Sequence, residues 1–137
     1  MRAAALPAAG YADLQAGLLK PSVLVIEDDD AVRGALELIL KLNDYPVRVA
    51  ATAEVAEALF AREGPDIDLV VTDFHLNGPD NGLQVLDRLR AMAGRDLPAV
   101  VLSGDTSPIL RHAGQLSRVQ LLRKPVELDG TDLHITT

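Results

Sequence analysis

The chain has 137 residues, room for one domain and little more. Its formal net charge of −7 argues against a nucleic-acid binder, because phosphate contacts need clustered Lys and Arg. With no cysteine, a disulfide framework and a thiolate metal site are excluded; aromatics at 3 % leave the core to aliphatic side chains, and no apolar run approaches the ~18 residues of a membrane-spanning helix.

Residues 1–20 read as an N-terminal extension, residues 21–126 as a single domain and residues 127–137 as a short tail. Met1, Arg2 and the Ala-rich stretch to Ala9 have the outline of a signal peptide. The apolar part is short and broken by Pro7, so the chain is expected in the cytoplasm. Tyr11, Leu14 and Leu18 have helical spacing and are expected to cover part of the domain surface, in the same chain or a neighbour's.

From Pro21 onward, short β-branched runs alternate with helical stretches. Residues 22–26 form a continuous apolar run, the pattern of a strand buried on both faces. Asp28, Asp29 and Asp30 suit the start of a helix that carries Val32, Leu36, Ile39 and Leu40. Residues 47–50 predict a second strand. Thr52 then caps a helix holding Val55, Leu59 and Phe60, which Gly64 and Pro65 end. Residues 68–72 predict a third strand, followed by a loop rich in Asn, Gly and Pro as far as Gly82. Leu83, Val85, Leu86 and Leu89 mark the next helix. Residues 98–103 predict a fourth strand, Pro108 opens a helix reaching about Gln115, and residues 119–122 make the last strand.

Five strands alternating with helices imply an α/β fold, a doubly wound parallel sheet with right-handed crossovers and helices on both faces. Ligands in such folds bind beyond the carboxyl ends of the strands. The residues there are Glu27 and Asp28 after the first strand, Asp73 after the third, Ser103 after the fourth, and Lys124 with Pro125 after the fifth. Three carboxylates in one pocket repel one another unless a cation is present. Mg²⁺ is the natural choice, since it takes one or two carboxylates, waters and a phosphoryl oxygen. Asp73 is then a candidate nucleophile toward phosphorus, Ser103 a hydroxyl donor to a phosphoryl oxygen, and Lys124 a mobile point charge for another. Gly104 leaves room for a phosphodonor. Taken singly, each group has an ordinary reading as a helix cap, a turn or a loop residue. Their arrangement, each after the appropriate strand and in order, is what points to a site.

The segments Val23-Leu24-Val25-Ile26-Glu27-Asp28-Asp29, Val70-Val71-Thr72-Asp73, Val101-Leu102-Ser103-Gly104 and Leu122-Arg123-Lys124-Pro125-Val126 together resemble the receiver domains of two-component signalling. The resemblance implies the flavodoxin-like strand order 2-1-3-4-5. It implies that Asp28 binds the metal directly and Glu27 through water, that Asp73 is the phosphoacceptor, and that His75 gives the metal its backbone carbonyl. Ser103 and Lys124 would be the switch hydroxyl and the phosphate-binding lysine, and the bond between Lys124 and Pro125 would be cis. The implied partner is a sensor histidine kinase or a histidine phosphotransfer protein. Such a chain is a signalling phosphoacceptor that assists its own phosphorylation and dephosphorylation, not an enzyme acting on a separate substrate; homodimerisation is left open.

The sequence departs from this family in several places. Glu27 replaces the commoner Asp. The loop from Asp73 to Gly82 reads one residue longer than the common form and has Asn77 where Pro is usual, which resembles receivers attached to hybrid sensor kinases. The position of the switch aromatic holds Leu121, so coupling of a hydroxyl to an aromatic rotamer cannot operate in its usual form. Residues 126–137, interrupted by Gly130, predict a last helix that is short or missing. With no output domain in the chain, output is expected through a protein contact, or the chain is a piece of a larger protein.

Three other readings compete. A haloacid-dehalogenase-like phosphohydrolase would use Asp28 as nucleophile, but no cap insertion is evident. A flavodoxin-like nucleotide binder would want a Gly/Ser/Thr-rich loop after the first strand, where this chain has acids. A pseudo-receiver would bind partners without phosphorylation, as the altered position at Leu121 allows.

Overall fold

The structure, a computed structural model, describes residues 20–104 and 117–124. Its elements are β1 (Val23–Ile26), α1 (Asp30–Leu42), β2 (Val47–Ala50), α2 (Ala53–Glu63), a short 3-10 turn (Gly64–Asp66), β3 (Leu69–Asp73), α3 (Gly82–Ala93), β4 (Ala99–Ser103) and β5 (Val119–Arg123). The strands form one parallel sheet in the order β2-β1-β3-β4-β5, as expected from the alternating pattern and the resemblance together.

Strand β1 lies second in the sheet with β2 and β3 on either side, and its four side chains are fully buried. Each such side chain stabilises the fold by about 1.5–3 kcal/mol relative to exposure. Alternation along the strands divides the core in two. Val23, Val25, Leu69, Val71, Val100 and Leu102 face α1 and its Leu36 and Leu40. Leu24, Ile26, Val70, Ala99 and Val101 face α2 and α3, packing against Phe60, Leu83, Leu86 and Leu89.

Helix ends follow their capping chemistry. The Thr52 side chain accepts from the Val55 N–H at 3.1 Å to start α2, and α3 ends on Gly94 in the left-handed region at φ 70°. Two local expectations change. Strand β3 includes Asp73, because the ladder to β4 continues through the pairing of Asp73 with Leu102. Val55 leaves the core: it is 48 % exposed, and α2 packs through Ala53, Ala56 and Phe60. Phe60 is buried and Leu59 packs partly against the core, while the small alanines, which let α2 approach the sheet, complete the inward face in place of Val55.

Residues 1–19 of the N-terminal extension, the helix expected from Pro108 to about Gln115, the bond between Lys124 and Pro125, and the tail at residues 127–137 lie outside the described residues. No helix among the described residues is long and apolar enough to cross a membrane.

Candidate functional site

Parallel pairing aligns the carboxyl ends. Ile26 pairs with both Ala50 and Thr72, Asp73 with Leu102, and Ser103 with Arg123, so the next residues emerge along one edge. There Glu27, Asp28 and Asp73 each present a carboxylate oxygen, and these oxygens lie within 4.8 Å of one another.

The acidic run after β1 divides its labour. Asp29 caps α1, its carboxylate accepting from the Val32 N–H at 3.0 Å, and Asp30 pairs with Arg33 on the first turn. The helix-cap reading is therefore right for those two residues, and Asp28 is left to the cluster. Arg33 also donates to the Glu27 carbonyl at 3.0 Å, which fixes the turn out of β1.

Glu27 is 1 % exposed and has both oxygens engaged. Oε2 accepts from the Asp29 N–H at 3.1 Å, and Oε1 lies 3.2 Å from Lys124 Nζ. The same ammonium lies 3.2 Å from Asp73 Oδ2. Burial pushes the Glu27 carboxyl above its ordinary value; the Asp29 N–H opposes this, the charge of Asp73 adds to it, and Lys124 opposes it. Burial also disfavours the Lys124 ammonium, but Asp73 and Glu27 outweigh it and leave the lysine pKa raised. The electrostatics are those of two buried anions held by one cation, with a third carboxylate beside them.

That third carboxylate, Asp28, is half-buried, and its Oδ2 accepts from the Asn77 N–H at 2.9 Å. Exposed His75 turns its backbone N–H toward Asp73 Oδ1 at a long 3.4 Å, while its ring meets Phe74 edge-on with centroids 4.9 Å apart. Ser103 is fully buried at the end of β4, one residue past the partner of Asp73, and its carbonyl accepts from the Lys124 N–H at 2.8 Å. Glu27, Asp28, Asp73, His75, Ser103 and Lys124 thus lie along this edge. Direct contacts join Lys124 to Glu27 and Asp73, and the carboxylate cluster adds Asp28.

Other residues shape the site without having stood out. Thr72, fully buried, donates its hydroxyl to the Asp73 carbonyl at 3.0 Å. The Gly82 N–H donates to the Phe74 carbonyl at 2.8 Å, and a Cβ on Gly82 would come within 2.3 Å of the Asp73 carbonyl oxygen. The signal for Thr72 was a polar residue inside an apolar strand, which needs a partner when buried. Gly82 and the Asn77 amide carried no such signal, because close backbone approach and backbone donors leave little trace in residue type.

The donor set suits a hard divalent cation: oxygen atoms only, from three carboxylates, one of them open to solvent.

Residues 23–135 match the sequence family described as the response regulator receiver domain. The transcriptional regulatory protein AfsQ1 of Streptomyces coelicolor is 40 % identical over 89 residues, covering 65 % of this chain and 37 % of that protein. The chain spans well under half the length of the curated relatives it matches, 37 % of AfsQ1 and 30 % of a cyclic di-GMP phosphodiesterase of Thermotoga maritima. Among solved structures, a receiver domain protein from Clostridium thermocellum superposes with a TM-score of 0.70 at 20 % identity, over 79 % of this chain and 85 % of that one, a likeness of fold. The receiver domain of the hybrid histidine kinase CckA superposes with a TM-score of 0.64 at 28 % identity, over 78 % of this chain and 88 % of that one.

Proposed function

Because the chain belongs to the response-regulator receiver family, we propose that it is a phosphoacceptor in two-component signalling that takes a phosphoryl group onto Asp73. The donor is a phosphohistidine on a sensor histidine kinase or histidine phosphotransfer protein. The observation that carries this reading is the convergence of Glu27, Asp28, Asp73 and Lys124 at one strand edge. The likeness to the CckA receiver supports a place in a hybrid kinase as well as in a separate regulator.

An Asp73 carboxylate oxygen attacks phosphorus, the bond from phosphorus to the donor imidazole nitrogen breaks, and its electron pair stays on that nitrogen, which takes up a proton. Both reactants are anionic, and bound Mg²⁺ would supply the charge that lets them meet. Asp28, Asp73 and the His75 carbonyl would hold the ion, with Glu27 reaching it through water. Lys124 exchanges its contact with Asp73 Oδ2 for one with a phosphoryl oxygen, and the Ser103 hydroxyl donates to another. Drawing Ser103 and Lys124 toward the phosphoryl group pulls on the ends of β4 and β5. That pull shifts a pre-existing equilibrium between two conformers and alters what the domain binds.

One observation favours a second reading, a pseudo-receiver acting by protein binding without phosphorylation. Leu121 on β5 packs against the core cluster on the α2 and α3 side, and an aliphatic side chain there offers no aromatic switch. Mass spectrometry after incubation with a small phosphodonor and Mg²⁺ separates the two. A base-labile adduct on Asp73 that needs the metal and is lost in Asp73→Asn is expected. An adduct on Asp28 would point instead to phosphohydrolase chemistry, and no adduct at all would leave the pseudo-receiver.

A further inference from the structure

We propose that the backbone N–H of Asn77 is a positioning group for Asp28: it holds one carboxylate oxygen, turns the other toward Glu27 and Asp73, and so sets the affinity of the site for a divalent cation. The inference rests on the metal-dependent reading above.

The contact is a 2.9 Å hydrogen bond between residues 49 apart in sequence, joining the loop after β1 to the loop after β3. Asp28 needs such a restraint. It is half-buried, so its side chain has room to rotate, and the acids on either side are committed elsewhere. Both Glu27 oxygens have donors, and Asp29 caps α1. A carboxylate oxygen held by an N–H leaves its partner oxygen defined in direction, and groups that orient a ligand in this way govern metal affinity.

The donor is itself held in place. Asp80 is 2.8 Å from Arg88, which also reaches Glu57 at 2.7 Å, so the loop is tied to α2 and α3. Asn81 and Gln84 close a reciprocal capping box at 2.8 and 2.9 Å where α3 begins. Gly78, at φ 110°, makes the turn just after Asn77 that a residue with a Cβ rarely adopts. The donor group belongs to the backbone, and the residue is exposed. The identity of the side chain is therefore immaterial with one exception: proline has no N–H. Asn77 lies outside the left-handed region, so proline's fixed negative φ meets no conflict of sign.

The test is Mn²⁺ binding to the full chain, followed by electron paramagnetic resonance of the free ion, for wild type, Asn77→Ala and Asn77→Pro, with thermal melts to verify folding. Asn77→Ala keeps the N–H and is expected to bind within about twofold of wild type; Asn77→Pro removes it and is expected to bind about tenfold more weakly, the lower end of what losing an orienting group costs. Equal affinity in Asn77→Pro and wild type, or the same loss in both variants, overturns the inference. Amide exchange by nuclear magnetic resonance decides the matter even if Asn77→Pro does not fold. The Asn77 amide is expected to be protected in wild type and exposed in Asp28→Ala; no protection in wild type overturns the inference. A wild type that binds no Mn²⁺ sinks the metal-dependent reading and this inference together, whereas a wild type that binds it no better than Asn77→Pro sinks this inference alone.

Discussion

Asp73 is held through its own backbone as well as through its carboxylate. The Thr72 hydroxyl donates to its carbonyl, and Gly82 packs so closely that a methyl group there would sit 2.3 Å from the same oxygen. Gly82→Ala must therefore displace either the start of α3 or the end of β3. It is expected to cost about 1–3 kcal/mol in urea melts, the range for overpacking a tight site, and to slow labelling of Asp73; unchanged stability would contradict the close approach. Lys124 is the other residue on which the site turns, being the cation that Glu27 and Asp73 share. Its pKa is raised in the folded state, so the stability it contributes is fully present at neutral pH and is lost only as pH climbs through that raised value. Lys124→Met leaves two buried carboxylates without their cation. The expected loss is about 1–3 kcal/mol at neutral pH, discounted from the fully buried case because the lysine is partly open to water. The Glu27 carboxyl, already raised by burial, would rise further without the lysine, so acid should relieve its cost. Urea melts at about pH 7 and about pH 5 should show the deficit shrinking in acid; an equal deficit at both would contradict the assignment.

At the scale of elements, the loop from Phe74 to Asp80 gains its order from the helix that follows it. The reciprocal bonds of Asn81 and Gln84 satisfy two backbone donors, and Arg88 on α3 reaches back to Asp80. Asn81→Ala is expected to cost about 1 kcal/mol, as for other lost caps. Thermal melts would register that loss, and faster amide exchange between Phe74 and Asp80 would show that the loop depends on the cap; a loss of stability without faster exchange would confine the effect to the helix. Strands β1, β3 and β4 were legible in the sequence because they are buried on both faces and so read as unbroken apolar runs. The exposure of Val55 was not legible: Phe60 and Leu59 do face the core, but helical spacing alone does not fix how wide the buried stripe is.

For the whole molecule, a parallel sheet in the order β2-β1-β3-β4-β5 brings distant segments of the chain to one edge. Which residues stand at the carboxyl ends of the strands followed from the sequence alone, since alternating strands and helices leave few topologies and each strand end is marked by a change of pattern. Glu27, Asp28, Asp73, Ser103 and Lys124 were for that reason identifiable before any coordinates. Only the tertiary structure decided how they engage one another: that Lys124 lies between Glu27 and Asp73, that Asp29 and Asp30 serve the helix while Asp28 faces the cluster, and that the Asn77 N–H closes on Asp28. These contacts join residues as far as 97 apart, and they depend on strand register, on the path of loops and on backbone donors common to nearly every residue. A local pattern records none of these, because they arise only once the packed sheet has set the distances between segments.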